Sequence, residues 1–236
     1  MIWWTLGAAL AWDVTDAGEA VPDATKAVIV VTPGVSRQAV FTWVEIFEQE
    51  GLDAWTATLP SKGQSLDAAV ESLGEAIAAL DEEVVIAAHG YAGVLVLLAG
   101  LEPKRLVLVG VPLAKQVTTT IAVHPGEVVS EGMPFPAELT GHLPLEPYSG
   151  DLGGAYFTWA SDFPDYAAPT TPTLVIGSNV DPIAPPEICR LPSRDWPDRA
   201  WHRAGRLGVA EEELEHSGLL THPRTARMIA RFLGEP

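Results

Sequence analysis

The sequence predicts an α/β fold, a mostly parallel sheet with helices on both faces and an inserted cap. Three observations predict it. Short β-branched or apolar runs alternate with segments of helical period from Lys26 to Gly110, and the alternation resumes at Thr173. One stretch, Glu83 to Gly93 (EVVIAAHGYAG), passes from a buried-looking strand through a small-residue turn straight into a helix. Between the two regular parts, Val111 to Pro172 breaks the pattern with nine prolines and many glycines. That segment is too long for an ordinary connection and reads as a cap or lid. The expected organisation is therefore a core of residues 1–111 and 172–236, with residues 112–171 inserted.

The 236 residues suit one such domain, whose core buries most of its apolar surface without staples. The formal net charge of -17 makes nucleic acid and anionic membranes poor partners, which leaves a small molecule as the expected one. A single cysteine, Cys189, permits no internal disulfide and fits a reducing, cytoplasmic compartment. It reads as a packed thiol.

Each element has a local reason. Met1 to Trp12 is apolar, lacks a basic leading region and is too short to span a bilayer, so it reads as an edge strand or strand pair. Lys26 to Thr32 (KAVIVVT) is a strand that ends at Pro33-Gly34. Ser36 to Glu50 has helical period through Val40, Trp43, Val44 and Phe47, and Gly51 caps it. Asp53 to Leu59 is a strand, Pro60 to Ser65 a loop, and Leu66 to Leu80 an amphipathic helix. Val84 to Ala88 and Arg105 to Gly110 are further strands. After the cap come the strand Thr173 to Gly177, its exit loop Ser178 to Pro182, and a last strand over Asp198 to Arg203. Arg224 to Leu233 is a closing helix with Ala226, Ile229, Ala230 and Leu233 on one face.

At these positions the chain resembles the α/β-hydrolase superfamily along nearly its whole length outside the cap. The landmarks fall in the family's order. Pro33-Gly34 stands in the place of the oxyanion loop, and Leu59 to Ser65 (LPSKGQS) is similar to the family's leucine-proline-glycine-histidine-glycine-x-serine loop. Ala88 and Ala92 occupy the two small positions of the nucleophile elbow, and Gly93 follows. Asp181 stands where the family's acid follows its seventh strand, and His216 where the histidine follows the eighth.

The resemblance implies a serine attacking a carbonyl, a histidine taking its proton and an acid orienting that histidine. Here the nucleophile position is Gly90, which has no atom to attack with. Gly accepts a strained turn without penalty, so the exchange is compatible with a stable fold. The resemblance places the oxyanion on two backbone N–H groups, those of Tyr91 and Val35. The Tyr91 side chain is expected to point away from the nucleophile slot, and neither it, Ser36 nor Ser217 has an arrangement that would activate it as a substitute hydroxyl.

Competing readings stand beside these assignments. Asp before Pro is a common turn starter, which is the plain alternative for Asp181. His222 rivals His216, but His222-Pro223 looks like the lead-in to the last helix. His89 precedes the elbow and reads as structural. His124, His142 and His202 have no metal-ligand spacing, so no metal and no cofactor are expected. The cap aromatics Phe135, Tyr156 and Trp159 are candidates to line an apolar pocket; a small core within the cap is their alternative role.

The function expected is that of a hydrolase-fold protein acting on or binding an ester-like or acyl-type small molecule. It would use a His216–Asp181 dyad and a backbone oxyanion hole. Two alternatives remain open: a non-catalytic ligand-binding pseudo-hydrolase, and a carboxylester hydrolase carrying an inactivating Ser-to-Gly substitution.

Overall fold

The computed structural model describes residues 12–18, 22–31, 37–58, 66–80, 83–114, 145–149, 155–159, 165–178, 181, 184, 189–190, 192–203 and 218–234. In chain order the elements are β1 (Asp13–Asp16), β2 (Lys26–Val31), α1 (Arg37–Gln49), β3 (Asp53–Thr58), α2 (Leu66–Ala78), β4 (Val84–His89) and α3 (Tyr91–Leu98). There follow β5 (Arg105–Val109), β6 (Leu145–Ser149), β7 (Ala155–Trp159), β8 (Thr173–Gly177), β9 (Arg199–Arg203), α4 (Gly218–Thr221) and α5 (Pro223–Gly234).

Seven strands form one sheet in the order β1-β3-β2-β4-β5-β8-β9. β1 runs antiparallel to β3, and every other pairing in that sheet is parallel. A parallel sheet needs both faces covered, and the central strands show why the chain supplies it. β4 and β8 are buried at every residue, and β2 at all but Lys26. Successive side chains of β4 enter opposite cores. Val84, Ile86 and Ala88 join the core under α2 and α3, while Val85 and Ala87 join the one under α1 and α5.

α1 buries Ala39, Trp43, Val44, Ile46 and Phe47 in that second core. It ends because Gly51, at φ 72°, turns the chain. The Gly51 N–H donates to the Glu48 carbonyl at 3.0 Å and the Leu52 N–H to the Phe47 carbonyl at 2.9 Å. These are the paired bonds of a Schellman cap. The Trp43 indole N–H donates to the Leu220 carbonyl at 2.9 Å, tying α1 to α4.

Two elements add to the sequence reading and one expectation needs correction. The described edge strand is β1 at Asp13–Asp16, whereas residues 1–11, where one was expected, lie outside the described residues. An outer strand gives no apolar alternation, so DVTD carried no signal. Just before it Trp12 is buried, its indole N–H donating to the Ala69 carbonyl at 2.9 Å. Second, the buried face of α5 is Thr225, Ile229 and Phe232, with Ala226, Ala230 and Leu233 at its margin. The bulk of Phe232 sets that face. Third, the inserted segment contains an antiparallel pair, β6 with β7, which its prolines concealed.

The ends of the insertion lie against the main core. Val111 and Leu113 are buried in the first core, and Tyr166 packs against it. The Tyr166 hydroxyl donates to the Leu113 carbonyl at 2.8 Å, and its ring meets Trp196 edge-on at 6.1 Å.

Candidate functional site

The sheet creates a crevice through its connections. The chain runs from β2 outward to β3, then returns across β2 to β4. The direction of winding therefore reverses between β2 and β4, and ligands of open α/β sheets bind outside the carboxyl ends of strands at such a point. β4, β5 and β8 end level with one another, since His89 pairs with Val109 and Val109 with Ile176. Gly90 is the first residue beyond β4, at the lip of this crevice.

Gly90 makes the turn. Its φ is 56° and its ψ -133°. L side chains are penalised there and Gly is not. Its N–H donates to the Val109 carbonyl at 3.0 Å, and its carbonyl accepts the Gly93 N–H at 3.1 Å. Strand thus gives way to helix at one residue, the geometry of a nucleophile elbow. Gly93 lets α3 close on the sheet: a Cβ there would sit 2.3 Å from Cγ2 of Val111.

Tyr91 opens α3, so its N–H belongs to the first turn, where the helix itself offers no acceptor. The Tyr91 ring packs against the first core. Burial pushes its hydroxyl well above the ordinary tyrosine range, and the charge of Asp181 adds to the shift.

Asp181 is 1% exposed. One of its carboxylate oxygens accepts the Ala184 N–H at 2.9 Å, and its own N–H approaches the Ser178 carbonyl at 3.4 Å. A turn-starting Asp makes the same local bond, but on a surface turn it is solvated. Burying a carboxylate is costly unless its charge is met by donors or a cation.

The remaining candidates sort by position. His89, the last residue of β4, is 3% exposed and structural in setting. His222 accepts the Arg224 N–H on Nδ1 at 3.2 Å, so it caps the start of α5 as its sequence setting implied. Cys189 is buried, within reach of any Cβ added at Gly177. His216, Val35, Phe135, Ser36, Ser217 and the loops Pro33-Gly34 and 59–65 lie outside the described residues, as do the side chains of Tyr156 and Trp159 in β7. Among the described residues, then, the candidates are the consecutive Gly90 and Tyr91 after β4 and the buried Asp181 after β8. No group of three His, Cys, Asp or Glu residues among them could hold a metal ion. Nor is any of the described helices long and apolar enough to cross a membrane. A cavity of about 450 Å³ lined by Gly74, Ile77, Glu83 and Leu101 lies at the opposite, amino end of β4.

A seven-stranded, mostly parallel sheet with helices on both faces and an elbow turn after its central strand defines the class: the chain has the α/β-hydrolase fold. Solved structures of that class superpose over almost the whole chain. An epoxide hydrolase from Bacillus megaterium in complex with an inhibitor is similar at a TM-score of 0.65 and 12% identity, covering 95% of this chain and 97% of its own. A thermophilic esterase from Thermogutta terrifontis reaches 0.61 at 16% identity, covering 94% and 92%. A bromoperoxidase from Bacillus anthracis reaches 0.58 at 16% identity, covering 95% of each chain. No family model and no curated protein matches the sequence.

Proposed function

We propose that this chain is a hydrolase-fold protein whose crevice takes an ester-like or acyl-type small molecule and works without a covalent step through residue 90. The observation that carries the reading is an elbow turn at Gly90 together with a buried Asp181 on the loop that follows β8. A site that had lost all use would have no reason to keep a carboxylate out of water.

In this reading His216, oriented by Asp181, takes a proton from a water held in the space a serine side chain would fill. The resulting hydroxide adds to the ligand carbonyl. The tetrahedral oxyanion rests on the N–H groups of Tyr91 and Val35. Collapse expels the alkoxide, which recovers the proton from His216. Phe135, Tyr156 and Trp159 of the inserted cap would supply apolar contact with the acyl group.

A second reading, a non-catalytic binding protein, is favoured by the same Gly90, since loss of a triad nucleophile costs on the order of a millionfold in turnover. One panel separates the two. Hydrolysis of p-nitrophenyl esters is measured for the chain as it stands, for His216→Ala, for Gly90→Ser and for Gly90→Ser with His216→Ala. Turnover by the unmodified chain that His216→Ala abolishes supports the dyad. Turnover that appears only with Gly90→Ser and vanishes with His216→Ala supports a retained frame used for binding. A folded Gly90→Ser that stays inert over the panel overturns the ester reading.

A further inference from the structure

We infer that the cavity at the amino end of β4 is a second binding site, and that its ligand is a small organic cation. An ammonium head would sit between Glu83 and Glu102, with an apolar body on the floor below. The cavity lies at the opposite edge of the sheet from the crevice, so this site stands apart from the reading given for Gly90 and Asp181.

The sheet and α2 build the cavity. Val84 and Ile86 of β4 form its floor, with Ile77 of α2 and with Leu101 and Pro103 from the connection between α3 and β5. All but Leu101 are buried. The volume of about 450 Å³ falls in the range of small-molecule sites. Nine residues line it, against roughly 20–30 a side in a stable protein interface. A small molecule therefore fits better than a protein partner.

The charge around the cavity is one-sided. The Lys104 N–H donates to the Val84 carbonyl at 2.8 Å, which sets Glu83 and Glu102 at the neighbouring starts of β4 and β5. Both are exposed, so their carboxylates form the rim and not the floor. The Thr170 hydroxyl donates to Glu102 at 2.8 Å, which steadies that carboxylate without neutralising it. Among the described residues, no lysine, arginine or histidine lines the cavity. Lys104 and Arg105 line a different cavity, with Val85 and Leu233. Val85 joins the second core, whereas Val84 and Ile86 join the first. The net charge of -17 adds a long-range attraction for cations. An apolar floor under two carboxylates suits a cation with an apolar body and disfavours an anion of the same shape.

The test uses the full chain labelled with nitrogen-15 and three probes of one shape but different charge: phenylbutylammonium, phenylbutanol and phenylbutyrate. Amide shifts of Gly74, Ile77, Glu83 and Leu101 report the cavity, and those of Gly90 and Tyr91 report the crevice. The ammonium should move the cavity amides with a Kd about three- to tenfold below that of the alcohol, the scale of exposed charge pairs. The butyrate should bind least. Raising salt to about 1 M should erase most of the preference. Glu83→Gln with Glu102→Gln should do the same and leave binding of the alcohol in place. A Cβ at Gly74 meets nothing within 4 Å, so Gly74→Leu should fill the cavity and abolish binding of both. An ammonium that binds the cavity no tighter than the alcohol overturns the inference. So does unchanged binding in folded Gly74→Leu, and so do shifts confined to Gly90 and Tyr91, which would assign the probe to the crevice. Should a variant not fold, the three probes and the salt titration on the unmodified chain decide alone.

Discussion

The Gly90 N–H donates to the Val109 carbonyl at 3.0 Å while Gly90 itself sits at φ 56°. The bond pins the elbow to the neighbouring strand, so a side chain at residue 90 cannot relax by letting the turn open. Gly90→Ala and Gly90→Ser should each cost about 1–3 kcal/mol. In a chain of this length that is a Tm lower by about 2–4 °C per kcal/mol. Thermal unfolding of the three proteins checks it, and a Gly90→Ser variant as stable as the parent would show that the turn is not strained.

Gly93 and Val111 make a second contact that admits no Cβ. Gly93→Ala should destabilise by about 1–3 kcal/mol through overpacking. Val111→Ala opens space on the other side of the same contact. The double variant should therefore be less destabilised than the sum of the singles, which a urea-denaturation cycle measures directly. Strict additivity would mean that the helix moves instead.

Asp181→Asn in the Gly90→Ser background separates charge from shape. Asn still offers an oxygen to the Ala184 N–H, so the loop keeps its form. The histidine loses the charge that stabilises its cation. Ester turnover, once switched on by Gly90→Ser, should fall by about 10⁴-fold, as triads do when the acid becomes an amide. A loss of less than tenfold would remove Asp181 from the machinery.

Burial pushes the Tyr166 hydroxyl up to about 12 from an ordinary 10.0. The folded state therefore holds this proton more tightly than the unfolded chain. Its contribution to stability is complete below the unfolded value of 10.0 and is lost as pH rises through about 12. Unfolding free energy should decline over that window, and Tyr166→Phe should shallow the decline. An unchanged slope in Tyr166→Phe would assign the loss to other groups.

The elements most legible in the sequence were those covered on both faces. β2, β4, β5 and β8 are near-continuous apolar runs, and each lies within one residue of where composition placed it. β1 escaped notice because three of its four residues are exposed, so its composition is polar. The buried side of α5 was misjudged because Thr225 turns inward, its hydroxyl without a hydrogen-bond partner among the described residues. Composition places a threonine outside.

At the site, Gly90 and Asp181 were picked out by a fixed offset from a readable strand, and the structure puts the first at a positive-φ turn and buries the second. The burial of Asp181 was not legible. It depends on what packs over the loop after β8, which a local offset does not carry.

The outer position of β1 has a consequence for self-association. A sheet grows when a second chain adds a strand to an open rim, and β1 is the outermost strand on its side of the described sheet. It presents Asp13 and Asp16, both exposed, at its two ends. An incoming β1 from another copy, laid antiparallel, would set carboxylate against carboxylate across the new seam, and like charges directly opposed disfavour pairing. Among the described residues the short acidic strand thus closes that side of the sheet with charges that disfavour pairing with a second copy of itself.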